Sequence, residues 1–120
     1  MFDRQRRFME LLRDNGALAS FPLDLSSKDG QETIRLFAWK TTEELAEATA
    51  ILRNRAHDPL NVGSFDRSHY VEEICDALAF FMEICVLSDI PASEVYEQFV
   101  RKNAAVTEKF VARLEQASRR

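Results

Sequence analysis

Glu73-Ile74-Cys75-Asp76-Ala77-Leu78-Ala79-Phe80-Phe81-Met82 sits inside an almost wholly apolar run from Tyr70 to Leu87. It sets two carboxylates among residues that belong in a core. Their i, i+3 spacing puts Glu73 and Asp76 on one face of a helix, on a ridge that continues in Ala77, Phe80 and Ile84. The same spacing occurs upstream in Glu44-Leu45-Ala46-Glu47. An ionised carboxylate taken out of water without a partner costs several kcal/mol or more, so four acids converging between two helices call for a bound cation. Oxygen-only ligands of this kind suit magnesium, manganese or calcium.

Working outward from that run, the apolar spacing predicts four helices. The first spans about Asp3 to Asp14, with Phe8, Leu11 and Leu12 on its apolar side and Asn15-Gly16 as its stop. A second begins near Ser27 or Asp29 and runs to about Arg55, with a stripe of Ile34, Phe37, Thr41, Leu45, Ala48 and Leu52. Asp58-Pro59 through Gly63-Ser64 breaks the chain, and Asp66 or Ser68 caps a third helix reaching Ser88. On that helix Val71, Ile74, Cys75, Leu78, Phe81, Met82 and Cys85 form one apolar face, and Ala77, Phe80 and Ile84 another. A helix apolar on two sides is central. Asp89-Ile90-Pro91 leads into a fourth helix with core positions Val95, Phe99, Val106, Phe110 and Leu114. No strand-like alternation or internal repeat is apparent. The expected fold is all-α, a single-domain four-helix bundle covering residues 1–120, assembled as an oligomer because a doubly apolar helix needs more neighbours than one small bundle provides.

Composition narrows the function classes. The 120 residues are 46% hydrophobic and 30% charged, ordinary values for one globular core. A net charge of -4 argues against binding nucleic acid, which requires clustered Lys and Arg. Asp76 and Glu83 interrupt the longest apolar run, which argues against a membrane span. Cys75 and Cys85 fall on one helix about 15 Å apart, too far for a disulfide, and the N-terminus has no apolar signal segment. Both features point to the cytoplasm.

Among bundles with carboxylate sites, the ferritin-like di-iron class needs Glu-x-x-His on two helices. Only His57 and His69 occur, and Asp66-Arg67-Ser68-His69 reads as a helix cap. Redox iron is disfavoured, and the acids suit a divalent ion that grips phosphate oxygens. Glu72 and Glu83 read as surface carboxylates. Trp39 has two readings, a core aromatic or a platform for a base.

The pattern Glu43-Glu44-Leu45-Ala46-Glu47, followed after 25 residues by Glu73-Ile74-Cys75-Asp76, resembles the paired-helix signature of the all-α nucleoside triphosphate pyrophosphohydrolases, the superfamily of MazG and the dimeric dUTPases. The stretch from Glu72 to Cys85, and that from Asp89-Ile90-Pro91 through Tyr96 to Lys102-Asn103-Ala104, look most like the dimeric dUTPase branch. The resemblance implies that Glu44, Glu47, Glu73 and Asp76 bind Mg2+, with Mn2+ as substitute, and that Glu47 also orients the attacking water. It implies that Lys102 and Asn103 contact phosphate. Trp39 is the candidate for the base. The implied substrate is a nucleoside triphosphate, dUTP first, cleaved to monophosphate and pyrophosphate by a homodimer or homotetramer. Ala79, Val106 and Lys109 stand where that branch usually has His, Asn and Arg. These departures keep open a purine dNTP such as dGTP or dATP, and a non-catalytic bundle that binds nucleotide or protein.

Overall fold

The computed structural model describes residues 1–52 and 65–119. The second helix ends at Ala50 with Ile51 as its cap, short of the expected Arg55, while the Asp58 to Ser64 break and His57 lie outside the described residues. Among the described residues the chain forms four helices and no strand: α1 (Phe2–Asp14), α2 (Lys28–Ala50), α3 (Arg67–Leu87) and α4 (Ala92–Ser118). The all-α expectation holds. The chain divides into two compact units, Met1–Asp89 with α1 to α3 and Ile90–Arg120 with α4.

The helix ends follow local chemistry. Gly16 turns left-handed at φ 75°, and the N–H groups of Gly16 and Ala17 donate to Arg13 O and Leu12 O at 3.1 and 2.8 Å. This paired closure satisfies carbonyls that the last turn of α1 leaves open. Ser27 caps α2, its hydroxyl accepting from Gly30 N–H at 3.0 Å and donating to Asp24 O at 2.7 Å. That turn brings the Asp24 backbone against Gly30, where a Cβ would collide with it. Asp66 caps α3 by accepting from His69 N–H at 3.1 Å. A non-glycine residue, Asp89, takes the left-handed turn after α3 at φ 56°.

In the first unit α2 and α3 pack along each other, and α1 packs against α3. The seam on α2 runs through Gly30, Ile34, Phe37, Thr41, Glu44 and Ala48; that on α3 runs through Tyr70, Glu73, Ala77, Phe80, Ile84 and Leu87. Both advance by alternating steps of three and four, and every member is buried or half-buried. Phe37 meets Phe80 at a ring separation of 6.2 Å, and Glu44 meets Glu73 two turns further along α2. Numbers rise on one helix as they fall on the other, so the pair is antiparallel. At one end Met9, Phe37, Val86 and Leu87 form a buried cluster covered by Leu18, Phe21 and Leu23 of the α1–α2 loop, which Leu23 N–H ties to Leu87 O at 2.8 Å.

Several expected core positions shift. On α1 the buried stripe is Phe2, Gln5, Met9 and Leu12, so Met9 is fully enclosed while Phe8 and Leu11 are exposed. On α2 the stripe passes through Glu44, and Leu45, one residue and about 100° away, is exposed, as is Leu52. On α3 the Ala77, Phe80, Ile84 face is the packed one. Val71, Ile74, Leu78 and Phe81 remain exposed, and only Met82 and Cys85 of that face are buried. None of the core positions expected on α4 is buried. Cys75 and Cys85 are free thiols, as their spacing requires, but only Cys85 is the buried core thiol expected of both; Cys75 is exposed because it lies off the packed side of α3. Among the described residues no helix is long and apolar enough to cross a membrane.

Glu83 is also a correction: it is buried, 7% exposed, rather than a surface carboxylate. It lies between α1 and α3, where Gln5 Nε2 donates to its Oε1 at 2.7 Å. Lys40 sits 4.9 Å from the Phe37 ring centroid and 5.7 Å from that of Phe80, a cation held on two aromatic faces. Burial pushes the Glu83 carboxyl above its usual range, against the opposing pull of the Gln5 hydrogen bond and the Lys40 charge. A carboxyl raised by folding binds its proton more tightly in the folded chain. Its contribution to stability is therefore present below the ordinary carboxylate range and is lost as pH rises through the raised value. Glu83→Gln keeps the shape and a partner for Gln5 but cannot ionise. Denaturant titrations from pH 5 to 8 should show a flatter decline for this variant, ending more stable than wild type at pH 8 by on the order of 1 kcal/mol; parallel curves would show that Glu83 does not titrate in that window.

Candidate metal centre

Glu44 enters the site because α2 carries it on the buried stripe, and Glu47, one turn later, stands at the exposed margin of the same side. Glu73 arrives from α3 at the facing seam position. One carboxylate oxygen from each of Glu44, Glu47 and Glu73 lies within 4.8 Å of the others. That span is one that ligands around a single hard cation, at bond lengths of about 2.1 to 2.5 Å, can close.

The electrostatics disfavour two ionised carboxylates side by side. Glu44 Oε2 and Glu73 Oε2 are hidden from solvent and have no hydrogen-bond partner. Burial is the largest cause pushing the Glu44 carboxyl up to about 7; the Glu47 charge, the hydrogen bond with Glu73 and the charges of Asp76 and Glu73 act in the same direction. Two carboxyl groups in contact share either a proton or a cation. A proton serves at low pH. Above pH 7 a divalent ion fits the same place, because the donors are oxygen only and two of them lack any other partner.

Of the four expected ligands, three come together and Asp76 does not join them. It sits on α3 as an exposed residue outside the three-acid group, although its charge acts on Glu44. The expected apolar ridge explains the difference: it runs from Glu73 through Ala77 and Phe80, and Asp76 lies about 60° off its line. Trp39 is 61% exposed and is therefore not a core aromatic, yet it points about 140° away from Glu44 around α2. Lys102 and Asn103 are exposed residues of α4, in the second unit. A cavity of about 300 Å³ lined by Leu25, Gln31, Ile34, Arg35 and Ser88 contains none of the four acids.

Two participants escaped the sequence reading. His69 Nε2 lies 3.3 Å from Glu73 Oε1, so its ring turns towards the acids while only its backbone serves the cap. Lys40 stands one turn before Glu44 on the same side of α2 and holds the aromatic pair beside the site. Both were marked by an i, i+4 spacing to an acid, which puts side chains on one helix face. Comparison with protein-family models, with curated proteins and with solved structures finds no match.

The Glu44 shift has a measurable consequence. Because its folded value near 7 exceeds the ordinary carboxylate value, its stabilising contribution is present at acidic pH and is lost as pH rises through about 7. Thermal melts should therefore respond to millimolar Mg2+ or Mn2+ at pH 8 by several degrees, and hardly at pH 5, where a proton already occupies the pair. Glu44→Gln should abolish the metal response and leave only the pH slope that belongs to Glu83. Equal metal responses at both pH values, or a response that survives the substitution, would place the ion elsewhere.

Proposed function

We propose that the chain is a divalent-metal-dependent nucleoside triphosphate pyrophosphohydrolase, an all-α, oligomeric enzyme of the MazG and dimeric dUTPase type. The observation that carries this reading is the convergence of Glu44, Glu47 and Glu73 from two packed helices, with two hidden oxygens lacking partners. The motif resemblance around Glu44 and Glu73 supports the same reading from the sequence. Glu44 and Glu73, held by the seam, are the anchoring ligands, and Asp76 is a fourth that completes the set through a modest movement of its exposed side chain. Magnesium or manganese at these acids supplies charge neutralisation of the phosphate oxygens and a more acidic bound water. Glu47, the exposed member, orients the attacking water and accepts its proton. Water adds to phosphorus and the phosphoanhydride bond breaks, leaving monophosphate and pyrophosphate. Lys102 serves as a counter-charge to the triphosphate. Trp39 remains the aromatic candidate for a base. The substrate is a deoxynucleoside triphosphate, with dUTP first and a purine as the alternative.

A second reading, a non-catalytic bundle that keeps the acids as an ion-pair site, is favoured by the His69 to Glu73 contact at 3.3 Å, which gives one acid a partner without metal. Incubation with each dNTP and Mg2+, read as pyrophosphate release, decides between them. Pyrophosphate as the primary product, lost in excess chelator, is expected. Orthophosphate as the first product, or turnover unaffected by chelation, would end the pyrophosphohydrolase reading, and no turnover of any dNTP would leave the ion-pair bundle.

The part played by Asp76 separates a four-acid from a three-acid centre. Asp76→Asn should lower kcat/KM by at least about a hundredfold, or roughly 2.7 kcal/mol, with the fold intact because the residue is exposed. A loss below about fivefold would show that Glu44, Glu47 and Glu73 suffice.

A further inference from the structure

Asp66-Arg67-Ser68-His69-Tyr70-Val71-Glu72-Glu73 opens α3. Asp66 accepts from the His69 N–H and fixes where the first turn begins, and the helical phase that follows sets His69 four residues before Glu73 on one side of the helix. His69 Nε2 lies 3.3 Å from Glu73 Oε1. The two oxygens of Glu73 therefore have different surroundings. Oε1 has an imidazole beside it, while Oε2 is hidden from solvent and has no hydrogen-bond partner. The His69 side chain is 52% exposed and that of Glu73 16%, so the ring stands at the rim of the seam with the acid beneath it. Among the described residues no lysine or arginine forms an ion pair with Glu44, Glu47 or Glu73.

A histidine this close to an acid is either a ligand beside it or a support behind it. The grouping of ligand atoms decides between the two: oxygens of Glu44, Glu47 and Glu73 lie within 4.8 Å of one another, and His69 has no atom in that group. A ring nitrogen outside the group, set against one of its oxygens, is placed to donate to the carboxylate and hold its rotamer. We infer that His69 is a positioning residue that engages Glu73 Oε1 and leaves Oε2 alone to face the cation, so that Glu73 binds through a single oxygen. The inference rests on the metal-binding reading of these acids and not on hydrolysis of any nucleotide. Donation needs no change of charge, because neutral imidazole with its proton on Nε2 and imidazolium both offer Nε2–H. The consequence is ion selectivity. Mg2+ and Mn2+ favour a near-octahedral set at short range, whereas Ca2+ takes more oxygens at longer range and readily uses both oxygens of one carboxylate. A Glu73 whose Oε1 is already engaged denies Ca2+ that second oxygen, and His69 thereby tilts the centre towards the smaller ions.

The test reads metal binding with no nucleotide present. Affinity for Mn2+ is taken from the electron paramagnetic resonance signal of the free ion, and affinity for Ca2+ from its competition with Mn2+, at one fixed pH. The full wild-type chain is compared with His69→Ala and His69→Gln. Both variants keep the backbone N–H that Asp66 caps, and the side chain is half-exposed, so α3 begins in the same place and the fold persists. His69→Ala should weaken Mn2+ by about tenfold, the low end of what loss of a ligand's supporting partner costs, while Ca2+ binding holds or tightens. The preference for Mn2+ over Ca2+ therefore falls by at least about tenfold. His69→Gln offers an amide donor to the acid one turn on and should restore most of that preference. An unchanged ratio in His69→Ala, with Mn2+ still bound, would overturn the positioning role and leave the metal centre standing. A parallel loss of both ions would overturn it too, by making His69 a ligand or a packing residue, as would a Gln variant no better than Ala. Absence of Mn2+ binding by the wild-type chain would remove this role together with the metal-binding reading.

Discussion

Glu44 and Glu73 occupy seam positions between α2 and α3 that two packed helices ordinarily fill with apolar side chains. The helical phase leaves no choice in the matter. Thr41, Glu44 and Ala48 stay in register with Glu73, Ala77 and Phe80, so the same packing that brings Phe37 to Phe80 brings the two carboxyls together. Hidden oxygens without partners are tolerated only where another component supplies positive charge. The seam therefore holds its carboxyls at a cost when ionised, and the rise of Glu44 to about 7 expresses that cost by favouring the protonated form.

A second carboxyl solves the same problem differently. Glu83 is buried one turn beyond Phe80, but it has Gln5 as a donor and Lys40 within electrostatic reach. Its hydrogen bond joins α1 to α3, which makes the buried charge part of the assembly of the first unit. Lys40 lies over both Phe37 and Phe80, so one cation serves the aromatic pair at the centre of the seam while acting on Glu83. Glu83 has a donor from another helix, whereas of the seam acids only Glu73 has a basic group nearby among the described residues, His69 at 3.3 Å.

The apolar surface points outward as strongly as inward. Val71, Ile74, Leu78 and Phe81 form an exposed side of α3, and α4 has an entire exposed face.

The residues by themselves determined that the chain is all-α, where α1 and α3 begin and end, and that Glu44 and Glu47 share one side of α2, because caps, glycine stops and i, i+3 spacing act within a few residues; that Glu73 meets them was decided by the packing of α3 on α2. They did not determine which apolar stripe is buried. Leu45 and Glu44 are neighbours about 100° apart, and only the partner helix decides which of them faces the seam. The same holds for Met9 against Phe8, for Glu83, whose burial depends on Gln5 arriving from α1, and for Asp76, which shares the spacing of a ligand but falls just off the packed ridge. Phase is written along the chain, whereas burial is set by where the other helices lie. Tertiary packing alone decided which of these carboxylates lost its water.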